Sequence, residues 1–180
     1  MQARLRTCCS FLLQSSLSVE VDMGIWLKRI SLVLTIFLAA SQLIRPARTN
    51  PPTKPSWEIH ATLPVEPAVA VIFARSCDDC HSNRTIWPWY SRVAPASWLV
   101  AFDVRKGRRK LNFSEWHAYS GQDSQKLLHE ICSEVSDGEM PGFGYSLLHP
   151  KAKLSAPDVQ AVCSWTRLAG QTPSTRETKD

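Results

Sequence analysis

The sequence contains little glycine and none of the motifs that mark the common groups of enzymes. There are 7 Gly against 12 Pro among 180 residues, a ratio that predicts long but stiff connections. No stretch shows the alternation of apolar and polar residues that indicates a β-strand, and no internal repeat is present. A phosphate-binding glycine loop, paired carboxylates and a nucleophile next to a base are also missing. The sequence therefore argues against sheet and repeat architectures and gives no support for hydrolytic or transfer catalysis.

Residues 23–45 have the pattern of an export signal or a membrane anchor. Two basic residues, Lys28 and Arg29, precede an apolar stretch from Ile30 to Ala40, and Ala39-Ala40-Ser41 could be cut by a signal peptidase. The apolar stretch is short for a membrane span, which needs about 20 residues. A cleaved signal and an uncleaved anchor therefore both remain open.

The other boundaries follow from the start of this signal and from proline content. Residues 1–22 are interpreted as an upstream extension from a misassigned start, because a signal begins close to its methionine and Met23 fits that role. The proline-rich stretch 46–66 predicts an extended linker. We expect the folded domain at residues 67–170 and a disordered polar tail at 171–180.

Charge and aromatic content give weaker indications of a partner. The formal net charge is +5, and the basic cluster from Arg105 to Lys110 could contact nucleic acid. We expect no nucleic-acid partner, because an exported protein does not meet one and such a run is more often a solvated helix end at the negative end of the helix dipole. The 7 Trp could line a pocket for a flat apolar ligand, although core packing is the simpler interpretation.

Apolar residues at helical spacing predict four helices in the domain. Their expected limits are Ala68 to Cys77, Pro95 to Gly107, Asp123 as N-cap to Gly138, and Ser155 to Gly170. A loop from Glu139 to Lys153 separates the last two. The chain is therefore predicted to be all-α, with long loops and an N-terminal hydrophobic signal or anchor helix.

One motif, Cys77-Asp78-Asp79-Cys80-His81, carries definite chemistry. In this spacing two thiols can add across the vinyl groups of a haem, while the adjacent imidazole binds the iron. Haem is attached covalently outside the cytoplasm, which agrees with an export signal. We predict one covalent haem c, with thioether bonds from Cys77 and Cys80 and with His81 as the proximal iron ligand.

Three other interpretations of the motif carry less weight. A thioredoxin-like redox pair would need a βαβ setting, and the pattern of the chain shows none. A zinc site would need a second pair of ligands at suitable spacing, which is also missing. A structural disulfide between Cys77 and Cys80 is the third alternative.

Several residues could bind the iron from the opposite side. Met140 lies in the rigid sequence Gly138-Glu139-Met140-Pro141-Gly142, and a sulfur ligand would raise the reduction potential and suit electron transfer. Filling a gap in the core is the alternative role for this methionine. His149, in the same loop, is the second candidate and would lower the potential. The remaining candidates, in falling order, are His129, His117 and His60.

Cys132 and Cys163 are predicted on the inward faces of the third and last helices. In an oxidising compartment they could form a disulfide that ties these helices together. Two small buried thiols are an equally good interpretation.

From about Gln42 to Leu168 the chain resembles a small bacterial family, the haem-binding domain. The matching pieces are Gln42-Leu43-Ile44-Arg45-Pro46, Cys77 to Asn83, Trp87-Pro88-Trp89-Tyr90-Ser91, Ala94 to Leu99, Gly107-Arg108, Leu111 to Ser114, Met140-Pro141, Tyr145 and His149-Pro150. The resemblance implies haem c binding, a cytochrome c-like helical fold around that haem, and a location outside the cytoplasm. It also favours an uncleaved anchor, since members commonly keep the N-terminal segment.

Together these observations predict an electron carrier rather than an enzyme. The expected protein is a monohaem cytochrome on the periplasmic side of the bacterial inner membrane, passing single electrons between redox partner proteins. It would meet the membrane through its N-terminal segment. Two alternatives remain: a haem-based sensor of small ligands, and a peroxidase-like protein that uses His149 or His117 on an open iron face.

Overall fold

The computed structural model describes residues 23–171 and is all-α, which confirms the predicted fold class. Within this range there are eight α-helices and no strand. The α-helices are α1 (Met23–Ser41), α2 (Ile59–Thr62), α3 (Pro67–Ser76), α4 (Asp78–His81), α5 (Ala96–Lys110), α6 (Gly121–Ser136), α7 (Phe143–Leu148) and α8 (Ala156–Gln171). Shorter 3-10 helices span Pro55–Trp57, Trp89–Arg92, Phe113–Ala118 and Pro150–Ala152. The predicted upstream extension, 1–22, lies outside the described residues, as does the predicted tail beyond Gln171.

The described chain divides into two compact units, of which the first comprises residues 23–45 together with residues 93–95. Its helix α1 is long and apolar enough to cross a membrane, and a signal sequence near an N-terminus has the same properties. After this helix the Gln42 side chain pairs with the backbone of Ala94. Its amide donates to the Ala94 carbonyl at 3.2 Å and accepts from the Ala94 N–H at 3.0 Å.

The second unit comprises the rest of the described chain and is built on one apolar core. Helices α6 and α8 pack against each other, and α3 packs against α8. At the centre Phe73 stacks on Phe113, with ring centroids 4.8 Å apart, and meets the edge of Trp165 at 5.3 Å. Burying such side chains contributes roughly 1.5–3 kcal/mol each, so this aromatic group is a main source of stability.

A disulfide joins two helices, α6 and α8, that together supply half of the buried residues of this core. The sulfurs of Cys132 in α6 and Cys163 in α8 are 2.01 Å apart. Both side chains are half-buried. The other cysteines in the described part of the chain, Cys77 and Cys80, are free thiols.

The folded unit begins earlier than the proline content predicts. Ile59 is completely buried in the core, and Trp57 packs on the ring of His117 at 4.6 Å. The indole N–H of Trp165 donates to the carbonyl of Pro64 at 2.9 Å. The folded unit therefore includes part of the stretch predicted as an extended linker, because proline stiffens an extended segment without preventing it from packing.

The structure also differs from two predictions about α6 and the chain that follows it. The sequence predicts Asp123 as the N-cap of α6, but the N-cap is Ser120, whose hydroxyl oxygen accepts the Asp123 N–H at 3.2 Å. Asp123 lies in the first turn and accepts the Ser120 hydroxyl at 2.6 Å, which satisfies both groups. The predicted loop from Glu139 to Lys153 contains α7 and a 3-10 helix.

Candidate functional site

His81 ends the short helix α4 with its ring held in one orientation. Its Nδ1 lies 3.1 Å from the carbonyl oxygen of Leu111. Because a carbonyl can only accept, Nδ1 carries the proton and Nε2 keeps its lone pair. Burial lowers the pKa of His81, which also favours the neutral ring. A neutral imidazole with a fixed tautomer is the form that binds a metal ion.

Hydrogen bonds from the segment around Phe113 hold the residues that follow His81. The N–H of Asn83 donates to Ser114 Oγ at 3.0 Å, and its side-chain amide donates to Glu115 Oε1 at 3.0 Å. Its side-chain oxygen accepts from Asn112 Nδ2 at 2.9 Å. Sequence reasoning missed this role. The only signal for it in the sequence is the set of polar residues at positions 112, 114 and 115 around the apolar core position 113.

Arg108 connects three segments of this unit. Its Nε donates to the carbonyl of Ser82 at 2.8 Å, and its Nη1 donates to the carbonyl of Thr49 at 2.9 Å. Its Nη2 donates to Asn50 Oδ1 at 2.9 Å and to Thr85 Oγ1 at 2.8 Å. The sequence predicts a solvated basic run here, and for Arg108 that prediction is wrong, since its planar fork binds acceptors on both sides.

Gly107 allows α5 to touch the backbone of α4. A Cβ at this position would lie 2.5 Å from the carbonyl oxygen of Cys80. The sequence predicts that Gly107 ends the helix, but α5 continues through it to Lys110. The glycine is explained by this close approach between backbones rather than by a helix end.

A cavity of about 440 Å³ opens beside His81, a volume within the range of ligand pockets. Its walls come from α4, α5, α7 and the segments between them. It brings together four of the predicted site residues: Cys80, His81, Met140 and His149. Met140 is 42% exposed.

Of the three residues predicted to hold the haem from the motif, Cys77, Cys80 and His81, only Cys77 is not part of the cavity lining. It is the N-cap of α4, with φ −125° outside helical geometry, and packs against the core. Burial raises the pKa of Cys77 to about 12 and that of Cys80 to about 11. Both groups are therefore protonated thiols at neutral pH rather than thiolates.

Four side chains, Asp79, Tyr90, Tyr145 and His149, form a connected group on the cavity wall, called here the tyrosine–histidine cluster. The hydroxyl of Tyr90 and Nε2 of His149 are 2.6 Å apart. The ring of His149 stacks on that of Tyr145, with centroids 4.3 Å apart and planes 9° from parallel. The hydroxyl of Tyr145 donates to Asp79 Oδ2 at 2.8 Å. The histidine is thus fixed on two sides.

The three other histidine candidates lie away from the cavity. His60 and His129 are exposed. The ring of His117 packs on Trp57, and its Nδ1 is buried without a hydrogen-bond partner. None of them is among the residues that line the described cavity.

The residues of the cavity fit a haem. His81 offers a neutral imidazole with an unprotonated Nε2, the iron ligand such a group requires. Three apolar side chains on the wall remain largely exposed: Ile86 at 78%, Leu99 at 64% and Leu148 at 59%. A flat apolar ligand in the cavity would cover such surface, which a protein rarely leaves open without a binding role.

Comparison with known proteins agrees with this geometry. The family model described as haem-binding domain matches residues 36–168. Searches of curated proteins and of solved structures give no match. The matched range includes every residue that lines the cavity, from Asp79 to His149. Since the match covers well over half of the chain, this protein belongs to the haem-binding domain family.

Proposed function

We propose that this chain is an exported c-type haem protein that holds one haem covalently and transfers single electrons between redox partner proteins. The observation that carries the proposal is that Cys80 and an oriented, neutral His81 lie together on the wall of one cavity. Bound there, a haem would supply a one-electron iron couple. The sequence Cys-x-x-Cys-His adds the second thiol, Cys77.

The attachment chemistry needs no leaving group and no oxidant. Each thiol sulfur would bond to one carbon of a vinyl group, while the thiol hydrogen moves to the other carbon. Cys77 and Cys80 are free thiols, so neither is taken up by a disulfide and each carries the hydrogen that the addition transfers. The pairing of Cys132 with Cys163 removes the two other described thiols from competition.

Met140 is the proposed second axial ligand. Its side chain lines the same cavity as His81 and is partly exposed, so binding iron would not remove its sulfur from a packed core. His149 lines the cavity as well, but its Nε2 already has a partner in Tyr90. A thioether ligand would raise the reduction potential, as suits an electron carrier.

Helix α1 supports an anchored location on the periplasmic side of the inner membrane. Its apolar stretch from Ile30 to Ala40 is exposed, and a family match that starts at residue 36 includes its end. The exposed apolar side chains around the cavity, such as Ile86, would leave a haem edge close to the surface. Redox proteins exchange electrons through such edges in small, transient contacts.

Haem staining of the polypeptide on a denaturing gel tests the covalent attachment. Colour should stay with the full chain when it is exported in a host that matures c-type cytochromes. It should be lost in Cys77→Ala/Cys80→Ala and kept in Cys132→Ala/Cys163→Ala, the matched pair outside the motif. A full chain without bound haem would contradict the proposal.

Ligand exchange separates electron transfer from sensing. A far-red sulfur-to-iron charge-transfer band in the oxidised protein would support Met140 as ligand. Absence of this band, with carbon monoxide binding to the resting reduced protein, would favour a small-ligand sensor instead.

A further inference from the structure

The cavity has two candidate second ligands, and only one of them is free. Met140 and His149 both line it together with His81. The Nε2 of His149 lies 2.6 Å from the hydroxyl of Tyr90, a short hydrogen bond. A phenol oxygen and an imidazole nitrogen can each donate or accept, so this bond engages Nε2 in either tautomer of His149.

We propose that Tyr90 selects the second axial ligand: its hydroxyl occupies Nε2 of His149 and so leaves the iron to Met140. The inference rests on the proposed function, since it assumes a haem bound by His81. Tyr90 acts through His149 and is a positioning residue. Its effect is on which atom reaches the iron, and therefore on the reduction potential.

The surroundings of His149 explain how a single hydroxyl can decide between the two ligands. The His149 ring lies parallel to the Tyr145 ring at 4.3 Å, and its backbone N–H donates to the Tyr145 carbonyl at 2.8 Å. Tyr145 is itself held by Asp79, whose other carboxylate oxygen accepts the N–H of Ile86 at 2.8 Å. The imidazole therefore stays on the cavity wall, and Tyr90 determines whether Nε2 is available.

The substitution Tyr90→Phe tests this role in the full haem-loaded chain. It removes one oxygen and leaves the ring that packs beside Trp89. We expect loss of the far-red sulfur-to-iron band in the oxidised protein and a lower midpoint potential, because an imidazole replaces a thioether. The double variant Tyr90→Phe/His149→Asn should regain the band, since it no longer offers a second imidazole.

Tyr145→Phe is the matched control for Tyr90→Phe. It also removes one hydroxyl from the same cavity wall, but it leaves the bond between Tyr90 and His149 intact. The sulfur band should remain. If Tyr90→Phe keeps the band, or if the double variant fails to regain it, Tyr90 does not select the ligand.

A second route does not depend on the folding of Tyr90→Phe. In Met140→Ala the hydroxyl of Tyr90 should still hold His149, so the oxidised iron should be high-spin and should bind added imidazole. A low-spin bis-histidine spectrum in Met140→Ala would overturn the inference. Haem retained by the parent protein without a sulfur band would also overturn it, whereas loss of haem from the parent on a denaturing gel would overturn the proposed function.

Discussion

Two neighbouring residues of α5, Gly107 and Arg108, hold the segment around His81 from one side. Gly107 lets the backbone of α5 contact the carbonyl of Cys80, and Arg108 binds the carbonyl of Ser82. The orientation of the His81 imidazole depends on Leu111, only three residues after Arg108. The ring that would bind iron is thus positioned in part by Arg108 and Leu111, which are not among the residues that line the cavity.

Replacing Gly107 with alanine should push α4 and α5 apart. The new Cβ would lie 2.5 Å from a backbone oxygen that cannot rotate away. Such overpacking costs typically 1–3 kcal/mol, more than the roughly 1 kcal/mol gained from helix propensity. We expect a lower free energy of unfolding in urea and weaker haem retention.

Gly170 gives the matched substitution, because it also lies within a helix. A Cβ there would meet only Leu128 Cδ1 at 4.0 Å, an ordinary contact. Gly170→Ala should leave stability unchanged or raise it by up to about 1 kcal/mol. Equal losses in the two variants would show that the contact with Cys80 is not what requires Gly107.

Arg108→Lys should destabilise the protein although it keeps the charge. A lysine has one nitrogen and cannot reach the four acceptors that the guanidinium binds. We expect a loss of about 2 kcal/mol in urea unfolding, from several acceptors left without a partner. The exposed neighbour Arg109 allows the same exchange in the same helix, and Arg109→Lys should stay within about 0.5 kcal/mol of the parent.

At the scale of elements, the helices with a clear apolar face were predictable. In α6 the buried side chains Leu127, Leu128, Ile131 and Val135 lie at helical spacing. The start of α8 was predictable for a different reason, since Ser155 and Asp158 form a local N-terminal capping arrangement. Both signals are contained within a few consecutive residues.

The same capping arrangement makes a prediction about pH. The hydrogen bonds from Arg75 and Ser155 lower the pKa of Asp158 to about 2, from an ordinary value of 3.8. The carboxylate therefore stabilises the fold above about pH 4, and this contribution is lost as the pH falls from about 4 towards 2. Asp158→Asn should be less stable than the parent at neutral pH, by about 1 kcal/mol.

Urea unfolding at two pH values checks this linkage. Near pH 7 the Asn variant should have the lower midpoint, while towards pH 2 the two proteins should converge because most of the stabilisation by the Asp158 carboxylate is then lost. A difference of the same size at both pH values would mean that the ion pair with Arg75 contributes nothing through its charge.

The features that escaped prediction all depend on contacts between distant residues. The sequence predicts Gly107 as a helix end because it does not report the contact with Cys80. It predicts Arg108 as solvated because the acceptors on Thr49 and Ser82 belong to other segments of the chain. Cys80, His81, Met140 and His149 share one cavity as their motif and loop suggested, but the partner of His149, Tyr90, lies 59 residues away. No local pattern reports such a pairing.

At the scale of the whole molecule, the proline-rich stretch before α3 is part of the folded unit. Ile59 is fully buried, and the carbonyl of Pro64 accepts the hydrogen bond that the single indole N–H of Trp165 donates. Because Trp165 also meets Phe73, this stretch supports α3, the helix that leads into Cys77. Stability of the core and placement of the haem motif are therefore linked through residues that precede both.

Truncation of the chain before α3 tests this link between core stability and placement of the haem motif. A chain starting at Pro46 keeps Ile59 and Pro64, whereas one starting at Glu66 loses both; each would carry the same export signal. Removing a buried Ile costs roughly 2–5 kcal/mol, and leaving a buried indole N–H unpaired costs a further 1–3 kcal/mol. These losses, about 3–8 kcal/mol together, are a large share of the about 5–15 kcal/mol by which a domain of this size is stable, so the shorter chain should unfold at a much lower urea concentration and should retain less haem. Equal urea midpoints for the two chains would mean that the stretch before α3 only covers the core and does not support it.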